Sequence, residues 1–309
     1  MSRSALITGA GGFIGSALAA ALLARGWQLA ATDAAFDAPT RARLRGARLT
    51  EAPLPEGLAA LSDLRPDVVI HAAAITASPA KRGESRAAHV CANTALTLAA
   101  LEHARAAGAG RFVFLSSSGV FGDAAPADAA PVDETSAATA TDAYSAAKRA
   151  AEILLQGAAE PGFATLSLRL GPVFGPHEAA RPSRPRTSLV DRMIAEARAA
   201  GTITLTTPDA RRDWTYLPDL TRVVADLLAQ PAAGAGLLHA TSGQVLTDRA
   251  LARTIAALIS GTRVIDAPDP AAPPPRPPMV STATALRGVV WTDPAAALAA
   301  LLQPQGAPA

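Results

Sequence analysis

The chain has 309 residues, half of them hydrophobic, 17% charged and 4% aromatic, which is enough apolar material to bury a sizeable core in one large domain or two smaller ones. The formal net charge is +2 and the arginines are dispersed, without a basic run or interleaved aromatics, so no nucleic acid is expected as a partner. The single cysteine, Cys91, excludes an internal disulfide and a cysteine-built metal cage, and the five histidines show no ligand spacing, so no metal is expected.

The opening residues lack the charged head, apolar middle and small-residue cleavage site of a signal peptide. No apolar run reaches the ~18 residues a membrane span requires. A cytoplasmic protein with no membrane partner is expected.

Through the first half, short apolar runs alternate with alanine-rich helical stretches. A strand is predicted at 5–8, a helix at 13–25, strands at 28–32 and 68–71, a helix at 87–107, a strand at 111–115, a helix at 142–156 and a strand at 164–170. Strands separated by helices read as an α/β, doubly wound parallel sheet. After Gly171 the pattern loosens, with prolines at 172, 176, 182 and 185 framing an arginine-bearing loop. A smaller C-terminal substrate-binding region over the sheet's carboxyl edge is expected there. It continues through a helix at 188–200, a strand at 203–206, a segment at 213–216 and a helix at 217–229. A proline-rich stretch at 267–278 reads as a surface loop before a short helix at 294–302. The division expected is a cofactor-binding part at 1–170, with 213–242 returning to it, and a substrate-binding part at 171–212 and 243–309.

Two tyrosines and two lysines are all the chain contains, and one of each stands in the pentapeptide from Tyr144 to Lys148. Four residues is one helical turn, so the two side chains share a face. A tyrosine whose phenol falls from about 10 toward neutrality can take a proton from an alcohol, and an adjacent ammonium supplies that shift. Arginine, used at almost every other basic position here, would keep the charge but not the compact donor.

At the other end, Thr8-Gly9-Ala10-Gly11-Gly12-Phe13-Ile14-Gly15 sits between a predicted strand and a predicted helix. That context suits a turn whose backbone N–H groups cradle a pyrophosphate. Asp33 ends the second strand, where its carboxylate can accept both ribose hydroxyls and would repel a 2′-phosphate, favouring NAD over NADP.

These residues resemble the extended short-chain dehydrogenase/reductase family, the NAD-dependent epimerase/dehydratase group, over nearly the whole chain. The resemblance implies a Rossmann fold and an NAD cofactor held by Gly9, Gly11, Gly12, Phe13, Ile14, Gly15 and Asp33. The segment from Asp67 to Ala74 is similar to the family's fourth-strand motif, which places Ala72 and Ala73 against the nicotinamide half and makes His71 structural. Asn93 matches the family's asparagine near the active-site lysine, with a helix-kinking role as the alternative. The serine run Ser116-Ser117-Ser118 is similar to the catalytic serine segment. Ser117 is implied as the residue that steadies the substrate oxygen, with Tyr144 moving the proton and Lys148 holding the ribose while lowering the tyrosine's pKa. Ser118, Arg212 and Arg276 are implied as further substrate contacts.

The sequence also departs from the pattern. Pro172 stands where sugar-nucleotide enzymes usually carry an asparagine. Ser118-Gly119 replaces the Asp-Glu pair that water-eliminating members carry, which disfavours dehydration. Three readings stay open: an epimerase acting on a sugar or sugar nucleotide, 4-epimerase-like; a dehydrogenase or reductase of a free sugar, sugar acid or other small alcohol; and an NAD-binding protein without turnover. The resemblance further implies a homodimer through the helices at 87–107 and 142–156.

Overall fold

The computed structural model describes residues 3–122, 130–181, 184, 186–230, 235–272 and 275–303. Pro182 and Pro185 of the expected loop, and part of the proline-rich stretch, lie outside the described residues. The strands are β1 Ser4–Thr8, β2 Gln28–Asp33, β3 Arg48–Glu51, β4 Val68–His71, β5 Arg111–Ser117, β6 Ala164–Leu170, β7 Val173–Phe174, β8 Thr202–Leu205, β9 Arg211–Asp213, β10 Thr215–Tyr216, β11 Gly236–Ala240, β12 Val245–Thr247 and β13 Arg263–Asp266. The α-helices are α1 Phe13–Ala24, α2 Ala38–Arg43, α3 Glu56–Ala59, α4 Pro79–Arg82, α5 Arg86–Ala106, α6 Ala143–Ala158, α7 Leu189–Ala200, α8 Leu217–Ala229, α9 Asp248–Leu258 and α10 Pro294–Leu302.

Seven strands form one sheet in the order β11-β6-β5-β4-β1-β2-β3, and every pairing in it is parallel. This is the α/β, doubly wound Rossmann arrangement read from the sequence. The chain order reverses between β1 and β4, so the crevice beyond their carboxyl ends is where such a sheet binds ligands.

Side chains alternate between the two faces of the sheet because successive Cβ atoms of a strand point to opposite sides. Ala5, Ile7, Val68, Ile70, Val113 and Leu115 pack with Leu18 and Leu22 of α1 and with Leu220, Val223 and Val224 of α8. Leu6, Val69, Phe112 and Phe114 face the other way, onto Ala100, Leu101 and Ala104 of α5 and Ala151 and Leu155 of α6. Both faces are covered, which explains why β4 is buried at all four positions and reads as a continuous apolar run.

A separate apolar cluster lies in the smaller C-terminal part. It joins Val190, Met193 and Ile194 of α7, Leu251, Ala252 and Ile255 of α9 and Leu298 of α10 around Trp214. The segment expected at 213–216 divides into β9 and β10: Trp214 between them donates its backbone N–H to the Gln244 carbonyl, and β9 pairs with β12 while β10 pairs with β7.

Several elements escaped the sequence reading. β3 and β13 are edge strands with no buried residue, so neither carries a buried apolar run. α9 did carry a signal, since Thr247 caps it by accepting from the Ala250 N–H and Leu251 and Ile255 share a face.

Candidate functional site

The turn after β1 is built on close backbone approach. Gly9 has φ +72°, and a Cβ there would collide with the backbone of Ala72 and Ala73, just past β4. A Cβ on Gly11 would meet the Asp33 carboxyl at 2.8 Å. Gly12 caps α1 without a side-chain hydrogen bond and no acid stands in the first turn. The N–H groups of Phe13, Ile14 and Gly15 in that turn therefore point, with the positive end of the helix dipole, at the switch-point crevice.

Asp33 closes β2 beside this turn. One carboxylate oxygen accepts from the Gly11 N–H at 2.9 Å and the other from the Ala35 N–H at 3.3 Å. Burial raises its pKa, opposed by those backbone donors and by the charge of Arg181. The residue expected to hold a ribose thus also braces the glycine turn.

Asn93 lies on α5 and faces the loop after β4. Its amide oxygen accepts from the Ile75 N–H at 2.9 Å, and its amide nitrogen donates to the carbonyls of Ile75 and His89. It pins that loop and, with Ala73, lines a cleft shared by Phe114, Tyr144 and Lys148. His71 lies beneath, fully buried and stacked with Phe112 and Phe114, sharing a 2.7 Å hydrogen bond with the Thr8 hydroxyl. Desolvation pushes its pKa down to about 3, so it stays neutral, a structural histidine as read.

At the carboxyl end of β5 the three serines take different roles. Ser116 donates to Glu152 at 2.5 Å inside the protein. Ser117 accepts from the Gly119 N–H at 3.0 Å, and its hydroxyl stands near enough to the Tyr144 phenol to lower that group's pKa. Ser118 is buried at the start of a short 3-10 turn, Ser118–Phe121.

α6 starts where Asp142 accepts from the Ser145 N–H at 3.1 Å, and its first turns carry Tyr144 and Lys148. The Lys148 ammonium donates to the Leu115 carbonyl at 2.6 Å and lies 4.4 Å from the Phe114 ring centre. Desolvation brings its pKa down to about 7, against the opposing charge of Glu152.

Several parts of the chain act on the Tyr144 phenol. Burial raises the Tyr144 pKa, and the largest influence in the other direction is Arg276, followed by the Ser117 hydrogen bond and Arg184. Arg276 and Arg184, the cations that favour the phenolate, come from distant parts of the chain.

The two arginines expected at the substrate part ways. Arg276 comes close to Ser117 and Tyr144: its Nη1 would be 3.3 Å from a Cβ on Gly119, and Ser117 Oγ 3.2 Å from the same point. Arg212 on β9 instead forms a fork with Asp248, Nε to Oδ1 at 2.7 Å and Nη2 to Oδ2 at 3.0 Å, next to Thr207.

Glu152 and Arg169 were missed. Arg169 on β6 pairs in register with Ser116, and its guanidinium grips the Glu152 carboxylate at 2.9 and 2.8 Å. Glu152 follows Lys148 by one more turn, so the spacing that revealed Tyr144 and Lys148 extends to it. Arg169 carries no such signal, since only the sheet register brings it there. Among the described residues no group of three or more His, Cys, Asp or Glu is placed to hold a metal ion.

A family model described as the NAD dependent epimerase/dehydratase family matches residues 5–238. No curated protein matches the chain. Among solved structures, UDP-glucose 4-epimerase of Thermotoga maritima is 23% identical, with 97% of each chain covered and a TM-score of 0.80. The UDP-glucose 4-epimerase of Thermus thermophilus, solved in complex with NAD, is 26% identical over 97% of each chain, with a TM-score of 0.78. An NAD-dependent NDP-hexosamine 5,6-dehydratase of tunicamycin biosynthesis is 24% identical, covering 97% of this chain and 96% of its own, with a TM-score of 0.78.

Proposed function

This chain belongs to the NAD dependent epimerase/dehydratase family, and on that premise we propose that it moves a hydride between NAD and a secondary hydroxyl of a sugar-like substrate, in the manner of a 4-epimerase. The observation that carries the reading is the meeting of the Ser117 hydroxyl with the Tyr144 phenol at the carboxyl end of β5, beside Lys148.

The residues present fit NAD. The space denied to a Cβ at Gly9 and Gly11 leaves the turn small, the α1 N-terminus offers unpaired N–H groups to a pyrophosphate, and Asp33 stands at the ribose position. Ala72 and Ala73 would flank the nicotinamide half, and Asn93 fixes the loop that follows them. We assign residues 1–170 with 213–242 to holding the cofactor, and 171–212 with 243–309 to holding the substrate.

NAD, when bound, supplies the acceptor and donor of the hydride. Ser117 holds the substrate oxygen by hydrogen bonding. Tyr144 as phenolate takes the hydroxyl proton in oxidation and returns it in reduction. Lys148, anchored on the Leu115 carbonyl, keeps its remaining donors for a ribose hydroxyl. An epimerase keeps the ketone bound until it has turned its other face to the cofactor, whereas a dehydrogenase releases it. The same residues serve both.

Dehydration is disfavoured, because Ser118 and Gly119 offer no carboxylate beside Ser117 to act as acid or base. The likeness to a dehydratase rests on shared fold.

A homodimer through α5 and α6 is supported by Leu98 and Ile153, large apolar side chains left 45% and 67% exposed on these two helices. Among the described residues no helix is long and apolar enough to cross a membrane, and the exposed free thiol of Cys91 is compatible with a reducing cytoplasm.

The test is incubation with NAD⁺ and a panel of sugars, sugar acids and UDP-, GDP- and dTDP-sugars, following NADH absorbance and product stereochemistry. Stereochemical inversion or NADH formation that is abolished in Tyr144→Phe supports the reading. Full turnover by that variant overturns it.

A further inference from the structure

Two side chains of α6 take hold of consecutive residues at the end of β5. The Lys148 ammonium donates to the Leu115 carbonyl at 2.6 Å, and one turn further along the helix the Glu152 carboxylate accepts from the Ser116 hydroxyl at 2.5 Å. The next residue in the chain is Ser117. From the neighbouring strand β6, in register with Ser116, Arg169 donates from Nε and Nη2 to the two Glu152 oxygens at 2.9 and 2.8 Å. One carboxylate thus joins α6, β5 and β6 a single residue before the serine assigned to the substrate oxygen. Ser116, Lys148, Glu152 and Arg169 are each no more than 6% exposed.

A buried ammonium without a counter-charge sheds its proton, so the groups that face Lys148 decide its state. On its own helix they are Tyr144 and Glu152; on β4, His71 stays neutral; on α5, Asn93 carries no charge. Arg169 on β6 reaches this group through Glu152. Desolvation lowers the lysine's pKa, and the charge of Glu152 opposes it.

We propose that Glu152 is a positioning residue for the reaction: through Ser116 it fixes the peptide that presents Ser117, and its charge keeps the neighbouring lysine an ammonium that can donate to a cofactor ribose. This deepens the hydride-transfer reading above and rests on it. Arg169 holds the carboxylate toward Ser116, since a planar fork fixes the direction of the group it grips. Glu152 acts through these neighbours, so it governs kcat and the charge of Lys148 rather than recognition of the substrate.

The chain has only two lysines, Lys81 and Lys148, so protein labelled with carbon-13 at the lysine ε position gives two signals by nuclear magnetic resonance. The one lost in Lys148→Met belongs to Lys148. Its titration is followed in wild type, Glu152→Gln, Glu152→Gln with Arg169→Met, and Ser116→Ala, with urea unfolding to establish that each is folded. The double variant carries the test where the single one fails to fold. The expected midpoint is about 7 in wild type and the same in Ser116→Ala. Without the carboxylate it moves to lower pH by about 1 or more. With the compound of the panel above that wild type converts fastest, Ser116→Ala lowers kcat about 10-fold while the calorimetric Kd for NAD⁺ is unchanged. Ser116→Thr, which keeps the hydroxyl, recovers most of that loss. A Lys148 midpoint that stays in place or rises without the carboxylate, or a Ser116→Ala variant with wild-type kcat, overturns the proposal. The hydride-transfer reading fails separately, if wild type converts nothing in the panel or if Tyr144→Phe turns over as wild type does; the Lys148 titration then still decides the part played by Glu152.

Discussion

Lys148 and Tyr144 share one face of α6, with the ammonium 5.7 Å from the Tyr144 ring centre, yet the hydrogen bond of Lys148 goes to the Leu115 carbonyl. The lysine is thus fixed by the strand end beneath it and leaves Tyr144 to Ser117 and to the field of Arg276.

Tyr144→Phe removes the proton-transfer group and little packing. Its kcat should fall by about 10²- to 10⁴-fold with the melting temperature nearly unchanged. Steady-state kinetics and a thermal scan on the same preparation check both halves.

Lys148 gives the fold a pH dependence of known sign. Below about pH 7 the ammonium is present in the folded and unfolded chains alike, and its burial weakens the fold. Between about 7 and the ordinary lysine value of 10.5 the folded chain has released a proton that the unfolded chain retains. Stability should therefore rise with pH across that window, and Lys148→Met should remove this contribution. Urea midpoints of the two proteins across the window give the difference.

Gly9→Ala combines a positive φ with a Cβ driven into the backbone of Ala72 and Ala73. A loss of about 1–3 kcal/mol in stability is expected, together with weakened NAD⁺ binding. Calorimetric titration with NAD⁺ and denaturant unfolding measure the two effects.

Glu152→Gln leaves the Arg169 guanidinium charged, 6% exposed and without its counter-ion. About 3–5 kcal/mol of destabilisation is expected. Replacing both residues, Glu152→Gln with Arg169→Met, should restore part of it, and equilibrium unfolding of the single and double variants tests this.

Asp33→Asn keeps the side-chain shape but removes the charge that repels a 2′-phosphate. Its relative use of NADP⁺ against NAD⁺ should rise, with NAD⁺ bound more weakly because the Gly11 brace is altered. The ratio of kcat/KM for the two cofactors decides it.

The parts legible in advance are those with a local period. The 5–8 and 68–71 runs, the glycine turn and the Tyr144-to-Lys148 spacing depend on neighbours within a few residues, and the structure places them in β1, β4, the α1 N-terminus and one face of α6. β3 was illegible because an edge strand with charged, exposed ends has no apolar signature. The two candidate anion-binding arginines looked alike in sequence, and their local motifs did not reveal that Asp248 would engage Arg212 while Arg276 reached Gly119.

The sequence by itself determined the alternating strands and helices, the phosphate-cradling turn and the residue types available for proton transfer, because backbone propensity and side-chain period act over short distances. Tertiary structure alone decided which charges meet. Parallel register set Arg169 beside Ser116, and the segment in which Met279 packs on Val120 and Phe121 also carries Arg276 toward Gly119 and Tyr144. Close charge pairs of this kind depend on separations of a few ångströms in a desolvated interior. Chain folding, rather than any motif, sets those separations between residues far apart in sequence.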